Sequence, residues 1–290
     1  MTLTTGKTQL LGVIGHPVEH SLSPVMHNAA LQSLGLDWLY VPFKVAPAQL
    51  SQAISGLAAL GVRGFNVTLP HKQTIMSYLP SVSTLARQVG AVNTVIGTDS
   101  GWHGTNTDVE GFLAPLQSLK QDWSESAPVI LGNGGAARAV VVALAQLGCS
   151  TITVVGRDPA KLACFHRSWS ESDLNTTLRV CPWEQLPGLL PSSQLLVNTT
   201  PVGMAPHAEL SPLEPHLWPL LSSTAIAYDL IYNPRPTRFL QLAQAQGAIA
   251  LDGLPMLVHQ GAAALRMWLN QAVPVATMMA ALQKYPHSSS

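Results

Sequence analysis

The stretch Val129-Ile130-Leu131-Gly132-Asn133-Gly134-Gly135-Ala136-Ala137-Arg138 constrains the fold more than any other part of the chain. A short apolar run stops at a glycine-rich turn, and an Ala/Val/Leu pattern then continues to Gly148. This reads as strand, turn and helix. Glycines let the backbone turn tightly and approach a pyrophosphate, which sits on the positive end of the helix. The spacing is G-x-G-G-x-x-R rather than G-x-G-x-x-G, a weak signal alone. The apolar run Thr151 to Val155 follows and ends in Gly156-Arg157-Asp158-Pro159-Ala160-Lys161. Together these segments fit one βαβ unit.

The tip of that second strand bears on which dinucleotide is bound. A site for NAD puts Asp or Glu there to hold the ribose hydroxyls. Here Gly156 is followed by Arg157, with Lys161 one helical turn on, and two cations suit a 2′-phosphate, hence NADP. Asp158 would repel that phosphate. The favoured reading is that it caps the helix opened by Pro159.

The 290 residues suffice for two domains, and 47% apolar against 10% charged content supports a sizeable core. With zero formal net charge there is no basic field for nucleic acid. Cys149, Cys164 and Cys181 have no C-x-x-C spacing, so reduced structural thiols in a cytoplasmic protein are expected, with no disulfide and no metal site. Met1 to Gln9 lacks the apolar segment of a signal peptide, and no run is long enough to span a membrane. The tail His287-Ser288-Ser289-Ser290 reads as a disordered end.

Taken in order, Leu10 to Gly15 reads as a buried strand, followed by the loop His16 to Ser23. Ser23 is expected to cap a helix with Pro24 in its first turn. Ser21 and Ser23 serve either capping and turn chemistry or binding of a polyhydroxylated ligand. Leu39 to Val45 reads as a strand that Pro42 assigns to an edge, Pro47 to Leu60 as a helix, and Val62 to Thr68 as a strand. That strand runs into Leu69-Pro70-His71-Lys72 and a further helix, putting Lys72 on a first helical turn. Gly90 to Val95 reads as a strand with Asn93 in its middle, whose amide needs partners at both ends. Gly101 to Asp108 reads as a turn, with Asp108 either an N-cap or a carboxylate paired with a cation. Strands are also expected at Leu178 to Val180, in Leu195 to Met204 with a polar turn at its end, in Ala225 to Pro234 with a polar end, and at Ala248 to Leu251. From Gly253 the chain turns helical. Met278, Met279 and Leu282 serve core or dimer contact, and Gln260 is the polar member of an otherwise apolar stripe. Alternating strands and helices predict an α/β fold with mostly parallel sheets.

Several of these segments, in order and over nearly the whole chain, resemble the shikimate dehydrogenase family. They are His20-Ser21-Leu22-Ser23-Pro24, Gly64-Phe65-Asn66-Val67-Thr68-Leu69-Pro70-His71-Lys72, Gly90-Ala91-Val92-Asn93-Thr94, Asn106-Thr107-Asp108, Gly132 to Arg138, and Asp252-Gly253-Leu254-Pro255-Met256-Leu257. The resemblance implies NADPH-dependent reduction of 3-dehydroshikimate to shikimate, in chorismate and aromatic amino-acid biosynthesis. It implies a substrate domain at 1–108 plus 254–290 and a Rossmann-like NADP domain at 109–253. By the family pattern Ser21 and Ser23 hold the substrate carboxylate. Asn66, Thr68, Asn93 and Gln260 hold ring hydroxyls, and Lys72 and Asp108 form the catalytic pair. Gly132, Asn133, Gly134, Gly135 and Ala136 lie under the pyrophosphate. Gly156, Arg157, Asp158 and Lys161 lie near the adenosine ribose, and Leu230, Tyr232 and Gly253 near the nicotinamide.

Lys72, as an ammonium, would hydrogen-bond the substrate carbonyl oxygen and give it the proton, with Asp108 orienting it. The family often has Asn-Arg-Thr where this chain has Gly156-Arg157-Asp158, which leaves relaxed use of NAD open. A quinate/shikimate dehydrogenase is the alternative within enzymes. A non-catalytic nucleotide-binding paralogue is disfavoured by retention of Lys72 and Asp108. A folate-linked dehydrogenase of similar build lacks support from the serine loop.

Overall fold

The computed structural model describes residues 4–170 and 172–285; the tail His287 to Ser290 and the first three residues lie outside the described residues. The chain divides into two compact units, one running to Gly111 and resuming at Leu257, the other Phe112–Met256.

The first unit is built on six strands: β1 (Gln9–Gly15), β2 (Trp38–Lys44), β3 (Gly64–Val67), β4 (Ser81–Val82), β5 (Thr94–Thr98) and β6 (Gly101–Thr105). Their order is β2-β1-β3-β5-β6-β4. β1 pairs parallel with β2 and β3, whereas β5 is antiparallel to both β3 and β6. The turn from β5 into β6 is a tight hairpin: Thr98 pairs with Gly101, and Gly101 holds φ +103. A two-residue connection can join only antiparallel strands. Gly101 to Thr105 is therefore a strand and not the turn expected from its Gly/Thr content. Pro42 does sit in an edge strand, where its missing N–H costs no ladder bond.

The helices of this unit are α1 (Ser23–Ser33), α2 (Leu50–Ala59), α3 (Thr84–Val89) and the start of α4 (Asp108–Gln117). Ser23 is the first residue of α1 and not its side-chain cap. The expected helix after Lys72 is only a 3-10 turn at Thr74–Tyr78, so Lys72 precedes it. One face of the sheet buries Ile14, Phe65, Val67, Ile75, Val92 and Val95 with Leu50, Ile54 and Leu57 of α2.

In the second unit β7 (Val129–Leu131), β8 (Thr151–Gly156), β9 (Thr177–Pro182), β10 (Leu195–Asn198), β11 (Ile226–Asp229) and β12 (Ile249–Leu251) form a wholly parallel sheet. From one edge the order is β9-β8-β7-β10-β11-β12, or 3-2-1-4-5-6 within the unit. The order reverses at β7, where ligands of open α/β sheets bind. The helices here are α5 (Gly135–Gln146), α6 (Pro159–Arg167), α7 (Leu186–Leu189) and α8 (Arg238–Ala245). Leu131, Val155, Leu196, Ala227, Trp218, Phe239 and Leu240 are among its buried core. The two C-terminal helices are α9 (Gly253–Leu269) and α10 (Val275–Lys284). Met278 and Leu282 of α10 are buried, and α10 packs on α1 of the same unit, which assigns them to core packing. Among the described residues no helix is long and apolar enough to cross a membrane, and all three cysteines are free.

Two buried titratable groups give the units opposite responses to acid. His27 of α1 is fully buried, and burial pulls its ring from 6.5 down to about 3. As pH falls through 6.5 the unfolded chain takes up this proton and the folded one does not. His27's contribution to stability is thus complete above that pH and is lost progressively toward 3. Asp229 at the end of β11 is raised by burial from 3.8 to about 6, so the folded form protonates first. Its contribution grows as pH falls from 6 to 3.8. Thermal melts between about pH 7 and about pH 4 should show a steeper acid loss in the native chain than in His27→Leu. Equal slopes would remove His27 as a source of acid sensitivity.

Candidate active site

Because β1 and β3 are parallel neighbours, the loops that follow them leave the sheet on the same side. The antiparallel pairing brings the start of β5 and the end of β6 to that edge, with Asn66 opposite Thr94 and Thr94 opposite Thr105. Four sequence-distant segments thus converge. His16 N–H donates to Leu69 O at 2.9 Å, tying the serine-bearing loop to the segment before Lys72.

At the centre is Asn93. It lies just before β5 and not within a strand, although its N–H donates to Thr105 O at 3.1 Å and its O accepts from Val67 N–H at 2.8 Å, which ties it to the ends of β6 and β3. It is 2% exposed. Its Nδ2 donates to Asp108 Oδ1 at 2.8 Å and Thr107 Oγ1 at 3.0 Å, with Gln260 Oε1 at 3.4 Å. Its Oδ1 accepts from Thr107 N–H at 2.7 Å and from Thr94 Oγ1 at 3.0 Å. Both ends of the amide are satisfied, as a buried amide requires.

Lys72 Nζ donates to Asp108 Oδ2 at 2.7 Å, the two side chains being 21% and 10% exposed. The main chain of Lys72 is held too, since its O accepts from Val92 N–H at 2.7 Å. Asp108 opens α4, and its N–H is capped by Asn106 Oδ1 at 2.9 Å, so its carboxylate is free for Lys72 and Asn93. A carboxylate on the first turn of a helix is also favoured by the helix dipole. His71 is buried with Nε2 2.7 Å from Val45 O; that carbonyl can only accept, so His71 acts as a brace.

Of the other expected groups, Asn66 is buried and donates through Nδ2 to Asn93 O and Thr94 Oγ1, both at 3.1 Å. Gln260 Nε2 donates to Leu257 O at 2.9 Å. Thr68 is half-buried just past β3, Ser23 is buried, and Ser21 Oγ accepts from Ser23 N–H at 3.3 Å. Thr94, Thr107 and Tyr40 belong to the same network, although the sequence reading did not single them out. Thr107 stood in the quoted Asn106-Thr107-Asp108 segment, and its place beside Asn93 is the signal that could have found it.

In the second unit β7 is followed at once by Gly132, whose φ of +100 is one that residues with a Cβ rarely adopt. α5 begins at Gly135 with Gly134 as N-cap and no side-chain cap bond. A Cβ at Gly134 or Gly135 would meet nothing within 4 Å. These glycines therefore leave open ground beside uncapped helix amides, which fits a pyrophosphate. Asp158 caps α6, its Oδ1 accepting from Ala160 N–H at 2.9 Å and Lys161 N–H at 3.1 Å. Arg157 and Lys161 are exposed. Gly156 is buried with Asn133 close by. Leu230 and Tyr232 lie partly buried beyond β11, and Gly253 N–H donates to Ile231 O at 3.2 Å. A Cβ at Gly253 would collide with the main chain at Leu230 and Ile231.

A parallel sheet of this order, with such a turn at its switch point, places the chain in the class of two-unit α/β dehydrogenases that bind a dinucleotide. The model of the shikimate dehydrogenase substrate binding domain matches residues 13–95, and that of the shikimate 5′-dehydrogenase C-terminal domain matches residues 253–283. A shikimate dehydrogenase (NADP(+)) of Synechocystis is 59% identical over 100% of both chains. A shikimate dehydrogenase crystallised in complex with NADP+ superposes with a TM-score of 0.88 at 35% identity, covering 97% of each chain. The Thermus thermophilus enzyme in complex with NADP(H) and shikimate gives 0.84 at 36% identity, over 95% of this chain and 99% of that one. The chain belongs to the shikimate dehydrogenase family.

The Asn93 amide carries a testable load. In Asn93→Ala the buried Thr107 N–H loses its acceptor and Asp108 loses a donor, which should cost about 1–3 kcal/mol of stability. Denaturant unfolding of the first unit would read this, and an unchanged midpoint would show that the network relaxes without it.

Proposed function

We propose that this chain is an NADP-dependent oxidoreductase that reversibly reduces 3-dehydroshikimate to shikimate in the cytoplasm, as a step of aromatic amino-acid biosynthesis. The observation that carries the reading is the Lys72–Asp108 pair at 2.7 Å, set among buried amides and hydroxyls in a chain of this family. The first unit holds the substrate and the second the cofactor. Ser21 and Ser23 take the carboxylate; Asn66, Thr68 and Gln260 take ring hydroxyls, and Asn93 takes one by giving up its Nδ2 bond to Thr107 Oγ1. Gly132 to Ala136 hold the pyrophosphate on the amides of α5. Arg157 and Lys161 take the 2′-phosphate, next to Gly156 and Asp158, while Leu230, Tyr232 and Gly253 line the nicotinamide end.

Reduced nicotinamide supplies a hydride when bound. The protein supplies the proton. Lys72 donates to the carbonyl oxygen as negative charge develops there, and in the oxidative direction its neutral amine takes the proton back. Asp108 orients the ammonium and accepts from the neighbouring substrate hydroxyl. A homodimer is compatible with this arrangement, since the proposed groups of each role lie on one chain.

A second reading, a quinate/shikimate dehydrogenase with relaxed use of NAD, rests on Asp158 beside Arg157. Against it, Asp158 Oδ1 is engaged by two helix amides. Purified protein given shikimate or quinate with NADP+ or NAD+, followed at the nicotinamide absorbance, separates the readings. Fast turnover confined to shikimate with NADP+ is expected; comparable turnover with quinate or NAD+ favours the second. In Lys72→Ala, kcat should fall about a hundredfold or more with KM changed little. Near-native turnover in that variant would remove Lys72 from the chemistry. Arg157→Ala should raise KM for NADP+ about tenfold and leave that for NAD+ nearly unchanged; equal effects on both would place the 2′-phosphate elsewhere.

A further inference from the structure

Tyr40 lies in β2, and α1 grips it in three ways. Asn28 satisfies its outward-facing main chain, with Nδ2 donating to Tyr40 O at 2.9 Å and Oδ1 accepting from Tyr40 N–H at 2.8 Å. His27 stacks on its ring, with centroids 4.2 Å apart and planes inclined by 11°. Ser23 hydrogen-bonds its hydroxyl. Trp268 of α9 leans against both rings at 5.7 and 6.1 Å, and its Nε1 donates to Val95 O at 3.0 Å.

The Tyr40 ring is 1% exposed, and its hydroxyl donates to Asn66 Oδ1 at 2.7 Å. The direction of that bond is forced. Asn66 Nδ2 faces Asn93 O, which can only accept, so the other end of the Asn66 amide must be its oxygen. Tyr40 therefore spends its proton on Asn66, and its phenol oxygen can only accept from Ser23, whose hydroxyl is able to turn to a bound carboxylate without disturbing the Tyr40–Asn66 bond. Burial pushes the phenol well above its ordinary range, so it remains a donor at every working pH. Both Asn66 amide hydrogens and one lone pair of its oxygen are thus consumed inside the protein. One lone pair remains to meet a ligand.

We propose that Tyr40 is a positioning residue for substrate recognition: its hydroxyl holds the Asn66 amide as an acceptor aimed at a hydroxyl of the bound polyol. This rests on the shikimate dehydrogenase reading above. Tyr40 touches neither the reacting carbon nor Lys72, so its loss weakens ground-state and transition-state binding alike and appears in KM.

The test is a double-mutant cycle on shikimate oxidation with NADP+. Activity of the native chain with this pair tests the function reading by itself; without it, that reading fails first. Given activity, Tyr40→Phe keeps the ring and its stack and should raise KM for shikimate about fivefold, with kcat within about twofold. In the Asn66→Ala background the same change should have almost no further effect, because Tyr40 acts through Asn66. His27→Leu disturbs the packing of the ring but leaves the hydroxyl, and its KM should stay native. Three results would overturn the proposal: native KM in Tyr40→Phe, an undiminished effect in the Asn66→Ala background, or an equal rise in His27→Leu. A melting temperature for each variant confirms that folded protein is being compared.

Discussion

The carboxamide of Asn93 is the constraint on which the first unit's polar chemistry depends. It is a neutral group with a donor end and an acceptor end, and the fold uses both. The donor end fixes one oxygen of Asp108, which leaves the other for Lys72. The acceptor end takes the Thr107 N–H and so sets where α4 begins. A side chain of the same size without both ends could not do this. Aspartate would set a carboxylate against Asp108, and leucine would leave Thr107 N–H buried and unpaired. Lys72 and Asp108 are thus held from both sides by neutral groups already satisfied, which lets them remain an ion pair in a partly buried place without stray partners.

The parts legible in the sequence were those whose requirement is local. A glycine after an apolar run signals a backbone that a side chain would hinder, and Gly132 with its φ of +100 bears that out. Pro42 spoke for an edge because it removes one donor from one residue. Asp158 before Pro159 spoke for a cap, and it is one. What failed depended on residues far away in the chain. Gly90 to Asn93 has the look of a strand, yet Val92 N–H goes to Lys72 O, outside any strand, and the paired ladder begins only at Thr94. Gly101 to Thr105 has the composition of a turn, yet a hairpin partner makes it a strand. Tyr40 looked like one more apolar strand residue; only the register of β1 against both neighbours brings its hydroxyl to Asn66. Lys72 and Asp108 were recognised by resemblance, since nothing local says that residues 36 apart will share a proton donor and acceptor.

The second unit solves a different problem. Its ligand-facing turn is defined by what it lacks: Gly134 and Gly135 carry no side chain, and α5 carries no side-chain cap. In the proposed cofactor site, main-chain amides and the helix dipole would do the binding, so the turn would read charge and shape and little else. On that proposal, selectivity among dinucleotides falls to a few exposed side chains after β8. The fold spends Asp158 Oδ1 on the helix end, Asp158 Oδ2 lies 3.7 Å from Lys161 Nζ, and Arg157 is the exposed cation beside them.

The hydrogen bonds made inside the first unit also determine what it can still offer to a ligand. An ammonium has three donors, and Lys72 gives one to Asp108, leaving two. Gln260 Nε2 gives one hydrogen to Leu257 O and keeps one. Asp108 keeps lone pairs on both oxygens, and Asn66 keeps one on Oδ1. Donors and acceptors therefore remain together in one small set of side chains. A ligand that only accepts would leave Asp108 and Asn66 unanswered, and one that only donates would leave Lys72 and Gln260 so. A carbonyl flanked by hydroxyls answers both, because each hydroxyl can give to a carboxylate or amide oxygen while the carbonyl takes from the ammonium. The rigidity of the network turns this into selectivity: with Asn66 and Asn93 unable to flip, a ligand of the wrong polarity cannot be accommodated by turning an amide around, and the unpaired buried groups would count in full against it.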